Sequence, residues 1–522
     1  MAPRMLRVPL LVFGLITIQT TYSLTLPIMK RAYGLPGRLF SSLSVLDSPD
    51  KATFTGKHSF TGNQKPVTVL GGGPCGLAAA IMLARKGHSV QVFERLDRPL
   101  EPSSKEWESG DRSYNIGISG RGQNLLSSLG VMDLLDQYSS DVLGRKDWAP
   151  GAGVEDSNEI VYTTKSYVTK CIQRERLVSV LLSKIESSTY KDTIRVHHNT
   201  EVKDIRYNDE GEAELKVGYS GRWQSTPLVV GCDGGPSSAL RKAIERESAP
   251  FKTHIFEDKN VRLYKTIPLH FPPKDKKWRG DLNYSARTGS DINIDALPTR
   301  NGPYIGVVLY RPWDTRISQL KDAVDARAFF DSVLPMFSEV LRDEDLEKFS
   351  RKDDCKLPRF MYAGPHLNHK KSVLLGDAAH TVKPYFGLGV NSAFEDVAAL
   401  DVALDKHGDD LELALAEYSG ARAKEAKAMV QMSQRLDGPG IQTLLFFVLP
   451  LIVDNVLHKS LPWLFSPNTL SSLQNEKRTF TEIRLRKRID RVMQFSLLGG
   501  SFLVLKEFLR FSLRAALRLS FW

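Results

Sequence analysis

Cysteine is scarce in this chain, and long apolar runs are absent. Only four cysteines occur in 522 residues, and no two of them have the CxxC spacing of a redox pair or a zinc site. So small a number excludes a disulfide framework and predicts buried free thiols. The mean hydropathy is −0.25, and no uncharged run reaches the roughly 20 residues of a spanning helix, which argues against a polytopic membrane protein.

Patterns for metal sites and side-chain nucleophiles are also missing. The chain contains no HExxH sequence, no cluster of cysteine and histidine, and no evident Ser-His-Asp or Cys-His set. We therefore predict no metal site and no catalytic side chain of these kinds. Hydrophobic residues make up 42% and charged residues 25% of the chain, which excludes collagen-like, coiled-coil and wholly disordered proteins. At roughly 100–200 residues per domain, the length allows about three domains.

Acidic residues are absent from the beginning of the chain and few at its end. The formal net charge is +11, yet the first 46 residues hold five basic residues and no acidic one, and residues 476–522 hold eleven basic residues against four acidic ones. The stretch between them is close to neutral. Basic ends on a neutral body are typical of targeting and of contact with a membrane surface, and we predict no nucleic-acid partner.

The first 60 residues have the pattern of a targeting sequence. Arg4 and Arg7 precede an apolar run at 8–18, which is too short to cross a bilayer. A basic, serine-containing stretch without acids follows. This order predicts an organelle presequence over residues 1–60, either a bipartite plastid signal or a mitochondrial one. A single membrane anchor that is retained in the mature chain is the alternative.

A glycine-rich turn between two predicted strands is the strongest motif. A short apolar run leads into Gly71, Gly73 and Gly76 in GxGxxG spacing, an amphipathic helix follows, and a second strand ends before Glu94. In such a unit the glycines permit the tight turn, the approach of a pyrophosphate and the packing of helix on sheet. The helix N-terminus offers free N–H groups to phosphate, and the acid can bind ribose hydroxyls. The pattern predicts a dinucleotide-binding domain but does not distinguish FAD from NAD(P).

Two later motifs distinguish the cofactors. One predicted strand runs into Asp233 with Arg241 beyond it, and another runs into the sequence Gly-Asp-Ala-Ala-His, which contains Asp377 and His380. A glycine-rich turn and a further helix follow. An aspartate at a strand end can bind a ribityl hydroxyl, and the turn can face a flat ring at the positive end of the helix. These features favour FAD, and we interpret His380 as a structural residue rather than a base.

Over residues 65–430, the ordered motifs GxGxxG, DG…S…R and GDAAHxxxPxxGxGxN resemble those of the class A, single-component FAD-dependent aromatic hydroxylases. Within that family, the stretches at 112–122, 174–177, 264–268 and 384–396 are similar to the kynurenine 3-monooxygenase group. The resemblance implies an α/β fold with a GxGxxG Rossmann-like FAD-binding domain of the p-hydroxybenzoate hydroxylase type, an inserted β-sheet substrate domain and a helical C-terminal region. The expected boundaries are 1–60 for the presequence, 61–244 and 359–430 for the FAD-binding domain, 245–358 for the substrate domain and 431–522 for the helical region.

The resemblance also implies a role for each matching residue. The expected FAD contacts are Gly71, Gly73, Gly76, Glu94, Arg95, Arg174, Asp233, Asp377, Pro384, Gly387, Leu388, Gly389 and Asn391. Arg112 matches the arginine that binds the substrate carboxylate in the family, and a solvated surface arginine is the alternative. Two positions depart from the family pattern. Leu388 replaces a glutamine, and Arg241 comes one residue late, which predicts a slipped or bulged turn.

By the same resemblance, the chain is expected to be a monooxygenase that uses FAD, NADPH and dioxygen to hydroxylate a small aromatic substrate. Two alternatives stay open. One is an isoprenoid or carotenoid epoxidase or a geranylgeranyl-type reductase of the same fold, which a plastid address would favour. The other is a flavin-binding protein without turnover.

The end of the chain combines an apolar run with a repeat of basic residues. Beyond the uncharged run at 495–505, Lys506, Arg510, Arg514 and Arg518 recur every four residues among leucines and phenylalanines. On a helix they form a basic stripe beside an apolar face, which favours an anionic membrane interface. We predict membrane association through the C-terminal region. A helix packed on the protein with its basic side in water is the alternative.

Overall fold

The structure, a computed structural model, describes residues 65–109, 114–163, 165–218, 222–272, 277–289, 291–408, 410–438, 442 and 444–519, without the side chains of 108–109, 498–505, 508–509 and 511–519. The predicted presequence over residues 1–60 and the substrate-binding candidate Arg112 lie outside the described residues. The described residues form an α/β protein with two main sheets and a helical C-terminal region, which confirms the predicted fold class.

Short apolar runs build the first sheet. Its strands are β1 (Val67–Leu70), β2 (Val90–Phe93), β8 (Ile194–His197), β12 (Val229–Gly231), β20 (Asn368–His369) and β21 (Ser372–Leu374). They lie in the order β20-β21-β12-β1-β2-β8, where β20 is antiparallel to its neighbour and the other pairs are parallel. The central strands β1, β12 and β21 are buried along their whole length, as parallel strands covered by helices require.

Seven helices belong to this part of the fold. They are α1 (Pro74–Arg85), α2 (Gly120–Ser128), α3 (Met132–Tyr138), α4 (Arg174–Glu186), α5 (Ala239–Glu247), α8 (Gly389–His407) and α9 (Leu411–Arg435). Helix α1 is completely buried from residue 77 to residue 83, because it packs on β1 and β2 and also contacts α4 and α8. Its three consecutive alanines leave room for this close approach.

A seven-stranded sheet forms the second layer. In spatial order its strands are β18 (Cys355–Lys356), β14 (Leu263–Leu269), β17 (Tyr304–Tyr310), β16 (Asn293–Leu297), β15 (Leu282–Arg287), β5 (Gly144–Trp148) and β6 (Ser157–Val161). One face packs on α6 (Ala323–Val333) and α7 (Asp343–Arg351), with Trp148, Tyr284 and Phe337 in its aromatic core. Strands β5 and β6 precede β12 in the chain, so the sheet is assembled from two separate parts of the sequence.

The other face of the seven-stranded sheet carries polar and apolar side chains, and we call it the free face. Directly paired residues share a face, and successive residues alternate between faces. The register therefore places on the free face the polar residues Arg145, Asp147, Tyr264, Thr266, Asn283, Ser285, Arg287, Asn293 and Asp295 and the apolar residues Pro268, Leu297, Ile305, Val307 and Leu309.

The described residues also form three smaller sheets of three strands each. The first contains β3 (Asn115–Ile118), β7 (Thr169–Gln173) and β4 (Ser140–Val142). The second contains β11 (Trp223–Thr226), β10 (Ala213–Val217) and β9 (Val202–Tyr207). The third contains β13 (Lys252–Ile255), β19 (Met361–Gly364) and β22 (His380–Thr381).

The chain from residue 444 is mainly helical, as predicted. It contains a π-helical turn Leu444–Val448 and the helices α10 (Leu449–Ser460), α11 (Thr469–Leu473) and α12 (Phe480–Leu519). The start of α12 packs on the protein, since Phe480 and Ile483 are buried in a cluster with Met429 of α9. Arg121 of α2 fixes this junction by donating hydrogen bonds to the carbonyl oxygens of Asn475 and, at 2.7 Å, Arg478.

The rest of this region exposes apolar side chains. Phe446, Trp463 and Phe495 are 63%, 78% and 72% exposed. Among the described residues, no helix combines the length and the apolar character that crossing a membrane requires. Of the predicted basic stripe, Lys506 and Arg510 are exposed, while the side chains of Arg514 and Arg518 lie outside the described part.

The prediction of four buried thiols is wrong for Cys355. All four cysteines are free; Cys171 is buried, Cys75 and Cys232 are half-buried, and Cys355 is exposed. Cys355 begins β18, a two-residue strand at the edge of the seven-stranded sheet. Both residues of this edge strand are exposed, so the thiol of Cys355 is in contact with water.

Candidate cofactor site

The residues predicted from the motifs meet at one edge of the six-stranded sheet. The strands β1, β2, β12 and β21 run parallel, so their carboxyl ends lie side by side. Gly71 follows β1 and Glu94 follows β2, while Asp233 and Asp377 come shortly after β12 and β21. Since open parallel sheets bind cofactors at the carboxyl ends of their strands, the topology brings these four residues to one candidate site.

Two of the motif glycines are needed for packing of the chain, and the third leaves space for a ligand. Gly71 has a φ of +94°, and a Cβ there or at Gly76 would lie inside contact distance of a backbone carbonyl oxygen, that of Cys232 or of Gly71. These two positions must be glycine for the chain itself to pack. A Cβ at Gly73 would meet only Arg174 Nη2, at 3.9 Å. Gly73 is also the N-cap of α1 and has no side-chain capping bond, so open space faces free amide groups, as a pyrophosphate requires.

Glu94 stands beside this turn. Its Oε2 accepts a hydrogen bond from Gly72 N at 2.6 Å, and its Oε1 accepts one from Leu96 N at 2.8 Å. The half-buried carboxylate is thereby fixed at the strand end where ribose hydroxyls are expected. Arg95 follows on an exposed loop, and the structure describes no bond that draws it towards the other predicted residues.

Asp233 contributes a carboxylate with one free oxygen. Its Oδ2 accepts a hydrogen bond from Ala239 N at 2.6 Å, whereas its buried Oδ1 has no partner among the described residues. Burial raises the pKa of this carboxyl, and the bonds from Ser238 and Ala239 oppose the rise. An orphaned buried acceptor of this kind fits the hydroxyl or phosphate region of a cofactor.

Arg241 joins this turn to the next one. It is buried and donates to Ala378 O at 2.8 Å and to Gly235 O. The turn contains Gly234 with a φ of +83°, so the backbone follows a path that other residues disfavour. The late arginine therefore connects the second and third motifs, which its position in the sequence does not reveal.

Asp377 lies in an open cleft. Its side chain is exposed, yet the surrounding protein desolvates the carboxyl and raises its pKa, while His380 and Arg174 act in the opposite direction. Arg174 begins α4, and its backbone N–H bonds to Tyr114 O at 3.1 Å. A carboxylate that is enclosed by protein and still accessible suits a cofactor hydroxyl.

The turn from Pro384 to Asn391 is shaped by backbone and by one amide side chain. Gly387 has a φ of +62°, which only glycine adopts readily, and Gly389 begins α8. Asn391 is buried; its Nδ2 donates to Gly117 O and Gly387 O at 2.9 and 2.7 Å, and its Oδ1 accepts from Ser119 N at 2.9 Å. These bonds fix the turn against β3 and the start of α2.

Leu388 points away from the open side of this turn. Its side chain is 4% exposed and packs in a hydrophobic cluster with Phe360, Val382 and Met429. Its backbone remains at the N-terminus of α8, where no side chain caps the first amides. The leucine that stands in place of the family's glutamine therefore packs in the hydrophobic cluster behind the turn.

Behind the turn lies an ion pair that the sequence analysis missed. Lys383 is completely buried, and its Nζ donates to Asp258 Oδ1, Asn260 O and Asp437 Oδ2 at 2.8, 2.8 and 2.7 Å. Burial raises the pKa of Asp437, and Lys383 opposes the rise. The one available signal was a lysine in an otherwise apolar turn next to Pro384. Its partners lie too far away in the chain for any spacing rule to find them.

A second buried network holds the Gly-Asp-Ala-Ala-His turn. His380 is fully buried and lies 2.7 Å from Asp396 Oδ2, which also accepts a bond from Gly376 N at 2.8 Å. Arg422 Nε donates to the other oxygen of Asp396 at 2.6 Å. Burial opposes ionisation of Asp396, but His380 and Arg422 outweigh it and keep its pKa below the usual value. This geometry agrees with a structural role for His380.

Tyr264 connects the free face to the cofactor site. Burial raises its pKa to about 12, and its neighbours Cys355 and Tyr114 act in the same direction. Tyr114 in turn lies close enough to Arg174 and Asp377 for both to affect its pKa. The free face therefore looks towards the cleft that contains Asp377.

Taken together, the site fits FAD. Uncapped amides and the open space at Gly73 suit the pyrophosphate, and Glu94 suits the ribose. The free oxygen of Asp233 and the accessible Asp377 suit the linking hydroxyls, and the turn before α8 presents a second uncapped helix N-terminus to a ring. The chain also matches the family model described as an FAD binding domain, over residues 64–433.

The chain belongs to this family. Its members of the aromatic hydroxylase type are flavin-dependent monooxygenases, and this chain is an enzyme of that class. Among individual relatives, a kynurenine 3-monooxygenase from Anopheles gambiae is 26% identical over 454 residues, covering 83% of this chain and 87% of that protein. One from Salinispora arenicola is 28% identical over 373 residues, covering 70% of this chain and 78% of that protein.

Two solved oxygenase structures have a similar fold. PqsL of Pseudomonas aeruginosa superposes with a TM-score of 0.55 at 19% identity, covering 72% of this chain and 96% of that chain. A 2-methyl-3-hydroxypyridine-5-carboxylic acid oxygenase gives a TM-score of 0.55 at 19% identity, covering 76% and 94%. At these identities the likeness supports the fold alone.

Proposed function

We propose that this monooxygenase uses NADPH and dioxygen to hydroxylate kynurenine or a closely similar aromatic amino acid. The match to kynurenine 3-monooxygenases along most of the chain carries the proposal. The free face supports it, because beside its apolar residues it carries charges of both signs at Arg145, Asp147, Arg287 and Asp295. A face of both kinds suits an aromatic amino acid, which has an apolar ring and a zwitterionic end.

The residues of the chain would bind and orient, and bound FAD would supply the transfer of electrons from NADPH to dioxygen, one oxygen atom of which goes to the substrate and the other to water. The first-turn amides of α1 and the carboxylates of Asp233 and Asp377 would hold the dinucleotide. The uncapped N-terminus of the 19-residue helix α8 would stabilise negative charge at the ring. The cluster around Leu388 keeps water out from behind the turn.

Substrate-dependent NADPH oxidation tests the proposed reaction. The purified holoenzyme should oxidise NADPH faster with kynurenine present, and chromatography should detect one hydroxylated product per NADPH. Carotenoid and quinone precursors serve as the comparison substrates. Product from one of these alone would support the alternative enzyme class, and NADPH oxidation that no substrate stimulates would contradict hydroxylation altogether.

Arg112 is proposed to bind the substrate carboxylate, on the resemblance alone. Removing a charge-assisted bond costs about 1.5–3 kcal/mol. Arg112→Ala should therefore raise the KM for kynurenine roughly 10–100-fold, at 1.4 kcal/mol per decade, without lowering FAD content. Arg316→Ala is a matched control, since Arg316 pairs with Asp314 on the surface. Equal KM values in the two variants would assign Arg112 to the solvated surface.

We further propose that the enzyme associates with an anionic membrane surface through its C-terminal region. The exposed aromatic side chains Phe446, Trp463 and Phe495 support this, since burying each of them in the interface is favourable. Replacing Phe446 and Trp463 together by serine should weaken sedimentation with phosphatidylserine vesicles at least tenfold. Trp313→Ser removes an equally exposed tryptophan elsewhere (73% exposed) and should change nothing. Equal sedimentation of all three proteins would contradict the proposal.

The proposed location is a plastid or a mitochondrion. It rests on the pattern of residues 1–60 alone. A fluorescent protein fused behind these residues should enter one of the two organelles, and diffuse cytosolic fluorescence would contradict the proposal.

A further inference from the structure

Lys165 is a cation without a counter-ion beside the cofactor site. It lies in the loop between β6 and β7 and is half-buried. Its Nζ stands 3.9 Å from the ring centroid of Tyr162 and 5.6 Å from that of Tyr167. Among the described residues, no carboxylate lies within 4.0 Å of it, whereas the neighbouring cation Arg145 pairs with Asp147 of the free face at 2.8 Å.

The surroundings of Lys165 belong to the flavin site. The ring of Tyr167 packs on Gly120, where a Cβ would come within 2.7 Å of it. Gly120 begins α2, and the preceding Ser119 N bonds to Asn391 of the turn before α8. On the other side, Arg145 extends from the free face and is close enough to lower the pKa of Lys165. Lys165 therefore sits where the free face meets the start of α2.

A half-buried ammonium loses hydration and gains little here in return. Burial and then Arg145 lower its pKa to about 8, and the tyrosine rings compensate only in part. A negatively charged group in direct contact would stabilise the cation. Asp147 and Glu476 lie in the neighbourhood, but among the described residues no carboxylate comes within 4.0 Å of Lys165 Nζ. The positive charges of Lys165 and Arg145 therefore favour the binding of an anionic group of a ligand.

We propose that Lys165 binds an anionic oxygen of a ligand of the flavin site, a carboxylate or a phosphate. The inference rests on the proposed function for its two sources: the carboxylate of the aromatic substrate and a phosphate of NADPH. The flanking rings of Tyr162 and Tyr167 restrict the lysine to one direction, and Arg145 contributes a second positive charge. Both features favour a single anionic group at a defined place.

Calorimetric titration of the holoenzyme tests this without any turnover, so that a failure of hydroxylation and a failure of this site are separate results. The two probes are benzoate, which represents the substrate carboxylate, and adenosine 2′,5′-bisphosphate, which represents the coenzyme. Lys165→Met keeps the length of the side chain and removes its charge. It should raise the Kd of one probe about tenfold, while Lys165→Arg should stay within threefold of the wild type.

The matched control is Lys370→Met. Lys370 also stands over a tyrosine ring, that of Tyr207 at 5.0 Å, but lies near Glu247, away from the free face. A selective loss for benzoate assigns the site to the substrate, and a selective loss for the bisphosphate assigns it to the coenzyme. If Lys165→Met and Lys370→Met bind both probes equally, or if the wild type binds neither, the proposal is overturned.

The pH dependence gives a second readout. Besides Lys165, the ionisable groups that face this place are Arg145, Asp147, Tyr162, Tyr167 and, behind Tyr167, Glu476 and Arg121. Burial raises the pKa of Tyr162, and that of Tyr167 to about 12, so both stay neutral near pH 8. Probe affinity should fall in the wild type as the pH rises through about 8, when Lys165 loses its charge. A constant affinity from pH 7 to pH 9 would contradict the assignment.

Discussion

The two ends of the cofactor site are built in different ways. At the dinucleotide end, glycines and free backbone amides leave space, and the side chains that matter follow strand ends directly. At the ring end, the turn is held from behind by buried ion pairs, those of Lys383 and of Asp396. The dinucleotide end depends on positions without a side chain, whereas the ring end depends on ion pairs between residues that are far apart in the sequence. Substitutions should therefore fail in different ways at the two ends.

The largest effect is expected at Gly76. A side chain there would meet the backbone of Gly71, so Gly76→Val should cost about 3–5 kcal/mol or prevent folding. Gly73→Val has room in the protein and should cost only about 1 kcal/mol as a poorer N-cap, yet it should lose FAD. Chemical denaturation of the apoproteins and flavin absorbance separate the two results. Full flavin occupancy in Gly73→Val would show that no phosphate lies there.

Lys383 tests the ring end. Lys383→Met leaves Asp258 and Asp437 buried without their cation, which should cost about 3–5 kcal/mol in the free energy of unfolding. The exposed Lys427 over Tyr362 provides the control, since Lys427→Met should change stability by less than about 0.5 kcal/mol. Adding Asp437→Asn to Lys383→Met should recover part of the loss. If Lys383→Met and Lys427→Met are equally stable, the buried ion pair does not stabilise the ring end of the site.

Leu388 gives a smaller, more local test. Because its side chain fills a hydrophobic cluster, Leu388→Gln should cost about 1–3 kcal/mol for an unsatisfied buried amide. Leu388→Met keeps the volume and should cost less than about 1.5 kcal/mol. Thermal denaturation measures both. If the glutamine variant is as stable as the wild type and binds FAD more tightly, the side chain faces the ring after all.

The smallest effect on stability is expected from a change of pH near neutrality, because Asp396 stays ionised there. Its pKa is held below the usual value in the fold, so its contribution is complete above the unfolded pKa of about 3.9 and is lost as the pH falls below it. Stability of the wild type should therefore decline steeply in acid. Asp396→Asn should be less stable at pH 7 and show a shallower decline. Parallel pH profiles of the two proteins would exclude Asp396 as the source.

The difference between the two ends also explains what could be predicted from the sequence. The strand, turn and helix around Gly71, the acid at Glu94 and the Asp-containing strand ends are local patterns, and the structure brings them to one sheet edge. Lys383, Asp258 and Asp437 are far apart in the chain, and nothing in their neighbourhoods indicates a partner. The same holds for β5 and β6, which join the seven-stranded sheet across more than 100 residues, and for the bridge that Arg241 makes to Ala378.

The position of β21 has a consequence for how the enzyme is made. This strand lies next to β12 in the middle of the parallel sheet and leads to Asp377, but it is synthesised after the entire seven-stranded sheet. A ribosome that has released only the first 240 residues has exposed β12 as an open sheet edge, with about half of the proposed flavin contacts absent. Flavin capture therefore has to wait until nearly the whole catalytic chain has emerged, and a shortened gene that encodes the GxGxxG half alone should yield a colourless, aggregation-prone product.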